Sequence, residues 1–288
     1  MINPPSSNES MYQRADILTE ISAPKGLVPL NLHELWEYRE LAFFMLWRDI
    51  KGRYRQMAFG SLWMIINPVL NVIVFTILFG VMAKFPSDGV PYPLFNYSAL
   101  LIWTFFASTL FTAAGSLVGN RDLISKVYFP RLTIPLVGVL SALVDFLISF
   151  ILLLGACAYF GYYPTWRLVF TPVFLLMAAS VGLAVGFWFA SWIVHFRDIN
   201  AALGYIIRAW MYVTPVVYST AFIPEKWRWI LEINPLTSVI EGFRWSVLGV
   251  GPSPAVGMAA LHYLVVLLCL VGGAYYYRRT ERSIVDIA

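Results

Sequence analysis

Residues 48–68 read RDIKGRYRQMAFGSLWMIINP. Five charged side chains, Arg48, Asp49, Lys51, Arg53 and Arg55, fall within eight residues, and the next charge after Arg55 is Lys84. A basic cluster at the threshold of a long uncharged run marks a chain entering a bilayer, with the cations held on the cytoplasmic side. Trp63, just inside the run, fits the aromatic belt at the headgroup level.

Composition extends this reading to the whole chain of 288 residues. Hydrophobic residues make up 59% and charged residues 12%, against about 45–50% and about 25% in soluble domains. A hydrocarbon core of about 30 Å takes roughly 20 apolar residues of helix. Uncharged or nearly uncharged runs of that length occur at 59–83, 97–119, 132–160, 168–194, 199–222 and 255–277. The expected fold is therefore an all-α membrane protein with six transmembrane helices. With an even number of spans, both termini share one face. Fourteen Lys and Arg lie on the face that holds the termini and five on the other, with Arg208 inside a span, so both termini are expected in the cytoplasm.

The net charge of +4 thus reads as topology and attraction to anionic lipid, and nucleic acid is not an expected partner. Cys157 and Cys269 both fall in spans and form no close sequence pair. Residues 1–30 are polar, lack the apolar core of a signal peptide, and are expected to form a flexible cytoplasmic tail.

Two regions are too charged to span and too apolar to be solvated. Residues 31–56 place Asn31 as an N-cap with Glu34 three residues on, and mix Leu, Phe and Trp with charges at helical spacing, which predicts an interfacial helix. Residues 223–250 split at Asn234-Pro235, a cap followed by proline at the first helical position. Leu236, Val239, Ile240, Phe243 and Val247 then recur at i, i+3, i+4 spacing, so two short re-entrant helices are expected between spans five and six. The spacing of Glu241 and Arg244 predicts a weak i, i+3 pair. A third element, NRDLISKVYFPR at 120–131, reads as two helical turns with an apolar stripe, capped by Asn120 and stopped by Pro130.

Asp145 and Arg208 are ionisable groups inside spans, costing about 2.5–3.5 kcal/mol each on insertion scales. They lie roughly 20 Å and 14 Å from the cytoplasmic ends of their helices at 1.5 Å per residue, which predicts an ion pair between spans three and five.

Catalytic equipment is missing from the sequence. No Gly-x-x-x-x-Gly-Lys-Ser/Thr motif occurs, so the chain carries no P-loop. His33, His195 and His262 are scattered, and no carboxylate pair or metal-binding spacing is present. No metal site or cofactor of its own is expected, and the chain reads as a non-enzyme.

In combination, LWRDIKGRYRQMAFGSLWMIINPVL, RDLISKVYFPR, INPLTSVIEGFRWSVLG and RRTERSIVDIA, in this order, resemble the permease subunit of type 2 ABC exporters for lipid-linked polysaccharides of the O-antigen, capsule or teichoic acid type. The resemblance covers residues 35–286. It implies a permease domain over 31–288 in the bacterial inner membrane. Two copies would assemble with two ATP-binding cassette subunits, which bind the ATP and Mg²⁺. It implies that Asp122, Leu123, Lys126, Val127 and Tyr128 form the coupling helix on the ATPase, and that Asn234, Pro235, Glu241 and Arg244 belong to gate helices on the outer side. Arg48, Lys51, Arg53 and Arg55 then stand where a substrate pyrophosphate would meet the cytoplasmic headgroups, although a positive-inside flank explains them without any ligand. The alternatives are a permease for drugs or simple lipids, separable by which substrate stimulates the ATPase, and a membrane-embedded enzyme acting on lipid-linked sugars, which would need an interfacial acid or His cluster.

Overall fold

Apolar runs of this length can cross a bilayer only if every backbone polar group is satisfied within the segment, and the chain answers with helices throughout. A computed structural model describes residues 32–54, 62–196, 198–251 and 256–286, and among these every regular element is helical. The predicted tail at 1–30, Arg55 and Arg197 lie outside the described residues, and of Arg53 only the backbone is described. The elements are α1 (Leu32–Glu37), α2 (Arg39–Tyr54), α3 (Trp63–Phe75), α4 (Tyr92–Gly119), α5 (Arg121–Lys126), α6 (Thr133–Tyr159), α7 (Thr171–His195), α8 (Asp198–Val213), α9 (Glu225–Ile233), α10 (Pro235–Leu248) and α11 (Val256–Asp286).

Among the described residues five helices are long and apolar enough to cross a membrane: Trp63–Met82, Tyr92–Gly119, Thr133–Tyr159, Trp166–His195 and Gly257–Glu281. The first joins α3 to a π-helical stretch at Thr76–Met82. There Gly80 lets the chain pass so close to Tyr92 that a Cβ would sit 2.7 Å from the ring.

The predicted fifth span, 199–222, is helical only over its first part. Its helix α8 has 16 residues and stops at Val213, because Pro215 disfavours the helical conformation at Thr214. At about 1.5 Å per residue α8 is roughly 24 Å long, short of the hydrocarbon thickness. An irregular segment and a 3₁₀ turn at Thr220–Phe222 complete the run.

Helix α4 is the axis of the molecule, about 42 Å long, packed against both α6 and α7. At one end α10 docks on Phe95 of α4. At the other, Leu117 shares a buried cluster with Met45 of α2, Ile124 of α5, Leu132, Phe187 and Tyr277. Helices α2 and α5 and the last turns of α11 therefore gather at one end and the α9–α10 pair sits at the other. The Arg131 guanidinium, which donates to the carbonyl of Glu281, ties the start of α6 to α11 at the α5 end.

Between spans inside lipid there is little hydrophobic drive, so close association rests on small residues. Helix α7 supplies Ala178, Gly182, Gly186 and Ala190 at four-residue intervals, all buried. A Cβ on Gly186 would lie 2.6 Å from the Cβ of Ala113, and one on Gly182 would lie 2.8 Å from Thr109 Cγ2. Gly186→Ala is expected to cost about 1–3 kcal/mol through overpacking. Gly155→Ala, at a site with nothing within 4 Å, is expected to be silent or slightly stabilising; thermal unfolding of the purified variants in detergent checks both.

Candidate functional site

The α5 segment is short because Asn120 and Pro130 bound it. Asn120 caps through its backbone carbonyl, which accepts from Leu123 N at 3.1 Å and Ile124 N at 3.0 Å, while its side chain donates to Ser116 O. The predicted apolar stripe divides. Ile124 is buried and Leu123 packs against the same cluster, as do Leu41, Ala42 and Leu46 of α2. Val127 and Tyr128 remain exposed, Tyr128 to 81%, and Asp122 and Lys126 are exposed beside them. Buried Phe129 then anchors the chain before α6. Val127 and Tyr128 are thus apolar side chains of this segment left uncovered, with Asp122 and Lys126 exposed on the same segment.

At the basic end of α2 the two predicted phosphate ligands with described side chains, Arg48 and Lys51, differ. Arg48 already holds Asp49 through Nε at 3.2 Å and Nη2 at 3.1 Å. Lys51 is exposed. Exposed Phe43, Phe44 and Trp47 lie on the same helix, in keeping with a segment seated at a membrane surface.

Asn234 organises the opposite end. Its Oδ1 accepts from Leu236 N at 3.2 Å, capping α10, and from Trp210 Nε1 at 3.2 Å, while Nδ2 donates to Thr214 Oγ1 at 2.9 Å. One side chain thereby joins the end of α8 to the α9–α10 corner, and Pro235 occupies the first helical position as predicted. Helix α10 ends at Gly249 with φ 72°, a left-handed position natural to glycine. Its carbonyl accepts from Arg167, whose guanidinium lies 5.0 Å from the Trp245 ring centroid.

The predicted Glu241–Arg244 pair gives way to two separate engagements. Arg244 is 4% exposed and turns into the protein. It donates through Nη2 to Val216 O at 2.6 Å and through Nε to Phe95 O at 3.3 Å, with its guanidinium 3.7 Å from the Phe95 ring centroid. Burial lowers its pKa, and the charge of Glu241 works in the other direction. Glu241 turns the other way and accepts from the Thr220 hydroxyl. Burial raises its carboxyl above the usual carboxylate range, a shift opposed by the Thr220 hydrogen bond and by Arg244.

Asp145 and Arg208 are not brought together either. Arg208 is exposed on α8, where Nε donates to Gly204 O at 3.2 Å and the guanidinium lies 5.3 Å from the Tyr205 ring centroid. Asp145 lines a cavity of about 140 Å³ between α3, α4 and α6, and a bridge between the two residues is not among the ion pairs of the described residues. The reason is packing, since α6 rests chiefly on α2, α3 and α4 while α8 rests on α4 and α7. Around Asp145 each of three helices contributes polar residues four apart: Asn67 and Asn71, Thr104 and Ser108, and Asp145 with Ser149. The cavity has room for about four waters at about 30 Å³ each. The intramembrane carboxylate therefore sits in a polar environment and not against lipid.

Comparison with known proteins agrees with this arrangement. A model of the ABC-2 type transporter family matches residues 40–248, from the start of α2 to the end of α10. The chain is 30% identical over 256 residues to the O-antigen export system permease protein RfbA of Myxococcus xanthus, covering 87% of this chain and 96% of that protein. It is 29% identical over 198 residues to the RfbA protein of Klebsiella pneumoniae, covering 68% and 76%. With the inner membrane transport permease YadH of Escherichia coli K12 it shares 23% identity over 200 residues, 67% of this chain and 78% of the other. A helical bundle whose five long apolar helices are joined by a short exposed helix at one end and a capped helix pair at the other, matched over most of its length, belongs to the ABC-2 type transporter family of multi-pass membrane permeases.

Proposed function

We propose that this chain is the channel-forming subunit of an ATP-driven exporter that carries a lipid-linked polysaccharide of the O-antigen type from the cytoplasmic to the outer face of the bacterial inner membrane. The observation that carries the reading is the alignment over 96% of the length of the Myxococcus xanthus O-antigen permease. Two copies of the chain pair with two ATP-binding cassette subunits, which supply ATP and Mg²⁺ binding, since this sequence holds no P-loop. Helix α8 with residues 214–222 serves as the fifth of six spans, which places both termini in the cytoplasm, and the α9–α10 pair is a re-entrant gate on the outer side. Work enters through Val127 and Tyr128. In the test, the chain is purified with its ATPase partner and hydrolysis is measured with and without lipid-linked polysaccharide. Stimulation by the polysaccharide supports the reading, whereas stimulation only by drugs or simple lipids transfers the chain to the rival class of permease.

The basic end of α2 receives the substrate's pyrophosphate in this reading, with Arg53 and Arg55 as the ligands nearest the first span. A guanidinium fork binds phosphate bidentately while an ammonium acts as a point charge. The double variant Arg53→Lys, Arg55→Lys is therefore expected to lose most of the substrate stimulation while basal hydrolysis stays normal. An unchanged response would reduce the stretch to an orientation signal.

A further inference from the structure

At the end of the molecule opposite α5, a cavity of about 430 Å³ opens between the α3–α4 loop, the turn after α8, and helices α9 and α10. Its size falls in the range of small-ligand pockets, about 300–1,000 Å³. Asp88, Ser219, Thr220, Arg228, Glu232, Thr237 and Glu241 are among its lining residues, so three carboxylates and three hydroxyl side chains share it with one guanidinium. Arg228 already spends Nε on the carbonyl of Ile223 at 3.2 Å. Thr237 is 7% exposed and its hydroxyl has no hydrogen-bond partner, a cost of about 1–3 kcal/mol for a buried polar group.

The balance of charges selects the ligand. Acceptor oxygens outnumber cationic donors, which disfavours phosphate, uronate and other anions by like-charge repulsion. Among the described residues no group of three or more His, Cys, Asp or Glu is close enough to hold a metal ion, so the carboxylates are spread for separate contacts. Spread carboxylates and hydroxyls match the hydroxyl and amino groups of sugars, which donate to the former and exchange hydrogen bonds with the latter.

We infer that this pocket is a saccharide subsite for neutral or amine-bearing sugar residues, and that it disfavours phosphate-containing polymers of the teichoic acid kind. The inference rests on the polysaccharide-export reading and narrows its substrate class. It divides the labour between the two ends of the permease: the anionic lipid pyrophosphate is received at the basic end of α2, and the glycan is handled in the acidic pocket beside α10. Glu232, exposed on α9, and Glu241, joined to Thr220, supply the acceptors.

The test is saturation-transfer NMR on the full chain in lipid nanodiscs. The probes are a mannan hexasaccharide, a chitosan tetramer and a glycerol phosphate tetramer. The expected result is binding of the first two, at least tenfold weaker binding of the third, and at least fivefold weaker saccharide binding in Glu232→Gln and in Glu241→Gln. Glu232→Gln carries the test if the Glu241 change disturbs the Thr220 contact. No saccharide binding to the wild type, equal binding in both variants, or preference for the glycerol phosphate tetramer would overturn the inference. So would binding of Ca²⁺ alone that the same variants abolish, since the pocket would then be a cation site. Failure of the export reading shows separately, as the absence of hydrolysis stimulated by lipid-linked polysaccharide.

Discussion

Tyr128→Glu and Val127→Glu will release the ATPase subunit from an otherwise folded permease, weakening their association at least tenfold and abolishing export. In the proposed reading work reaches the permease through contact with the ATPase subunit, and a contact surface needs apolar side chains that the chain's own fold leaves uncovered. Tyr128 at 81% and Val127 at 49% exposure meet that condition. A tenfold loss is about 1.4 kcal/mol, less than the 2 kcal/mol or more typical of an aromatic anchor at the centre of an interface. Leu123 is a poor probe, because it packs on the cluster that binds α2 to the bundle and a charge there would disturb folding as well. Co-purification of the ATPase with each variant decides the matter. Wild-type association of Tyr128→Glu with export intact would remove α5 from the coupling path.

The second large effect is expected at Arg244. Truncation to alanine strips two backbone carbonyls, Phe95 O and Val216 O, of a charged donor and empties the space over the Phe95 ring. Hydrogen bonds to charged groups contribute about 1.5–3 kcal/mol each, and a desolvated cation–π contact contributes about 2. Allowing for relaxation, Arg244→Ala should destabilise the docking of α10 by roughly 3–5 kcal/mol, the range seen when a buried charged contact is broken. Arg244→Lys keeps the charge but not the fork and should recover less than half of that loss. Thermal unfolding of the detergent-solubilised protein measures both. A shift of less than about 1 kcal/mol for the alanine variant would mean that α10 is held by its apolar face alone.

These two sites differ in how far the sequence exposes them. The α5 segment is legible from Asn120, Pro130 and the spacing of its apolar residues. Which half of the stripe faces outward is not legible, because that depends on the tertiary cluster that Ile124 shares with Met45, Leu117 and Leu132. The capped turn at Asn234-Pro235 is fully legible, since caps are local. Its links to Trp210 and Thr214 are not, being contacts across 24 and 20 residues. The Glu241–Arg244 pairing failed for the same reason: spacing along one helix says which side chains are neighbours, and burial decides whether each finds a better partner elsewhere.

Inside the spans, length and apolar composition identify the five long helices, while their ends move by several residues. Tyr92–Gly119 begins five residues before the charge-free core suggested, because Pro91 and Pro93 start a helix well. The Pro215 that ends α8 early is visible in the sequence. The cavity at Asp145 also leaves a trace, as polar residues four apart in three separate spans. Their convergence becomes visible only once α3, α4 and α6 pack. The π-helical stretch at Thr76–Met82 has no proline to announce it and depends on the close passage of Gly80 past Tyr92.

The most direct measurement of the proposed export role is translocation itself. Permease and ATPase are reconstituted together in vesicles with the ATPase facing outward, and lipid-linked polysaccharide is presented on the outer leaflet. Added glycosidase then reports how much glycan has moved to the lumen. ATP-dependent protection of the glycan, absent in vesicles carrying Tyr128→Glu, is the expected result. Glycan that stays fully accessible while ATP is hydrolysed, in vesicles where a drug or simple lipid is moved instead, would contradict the assignment.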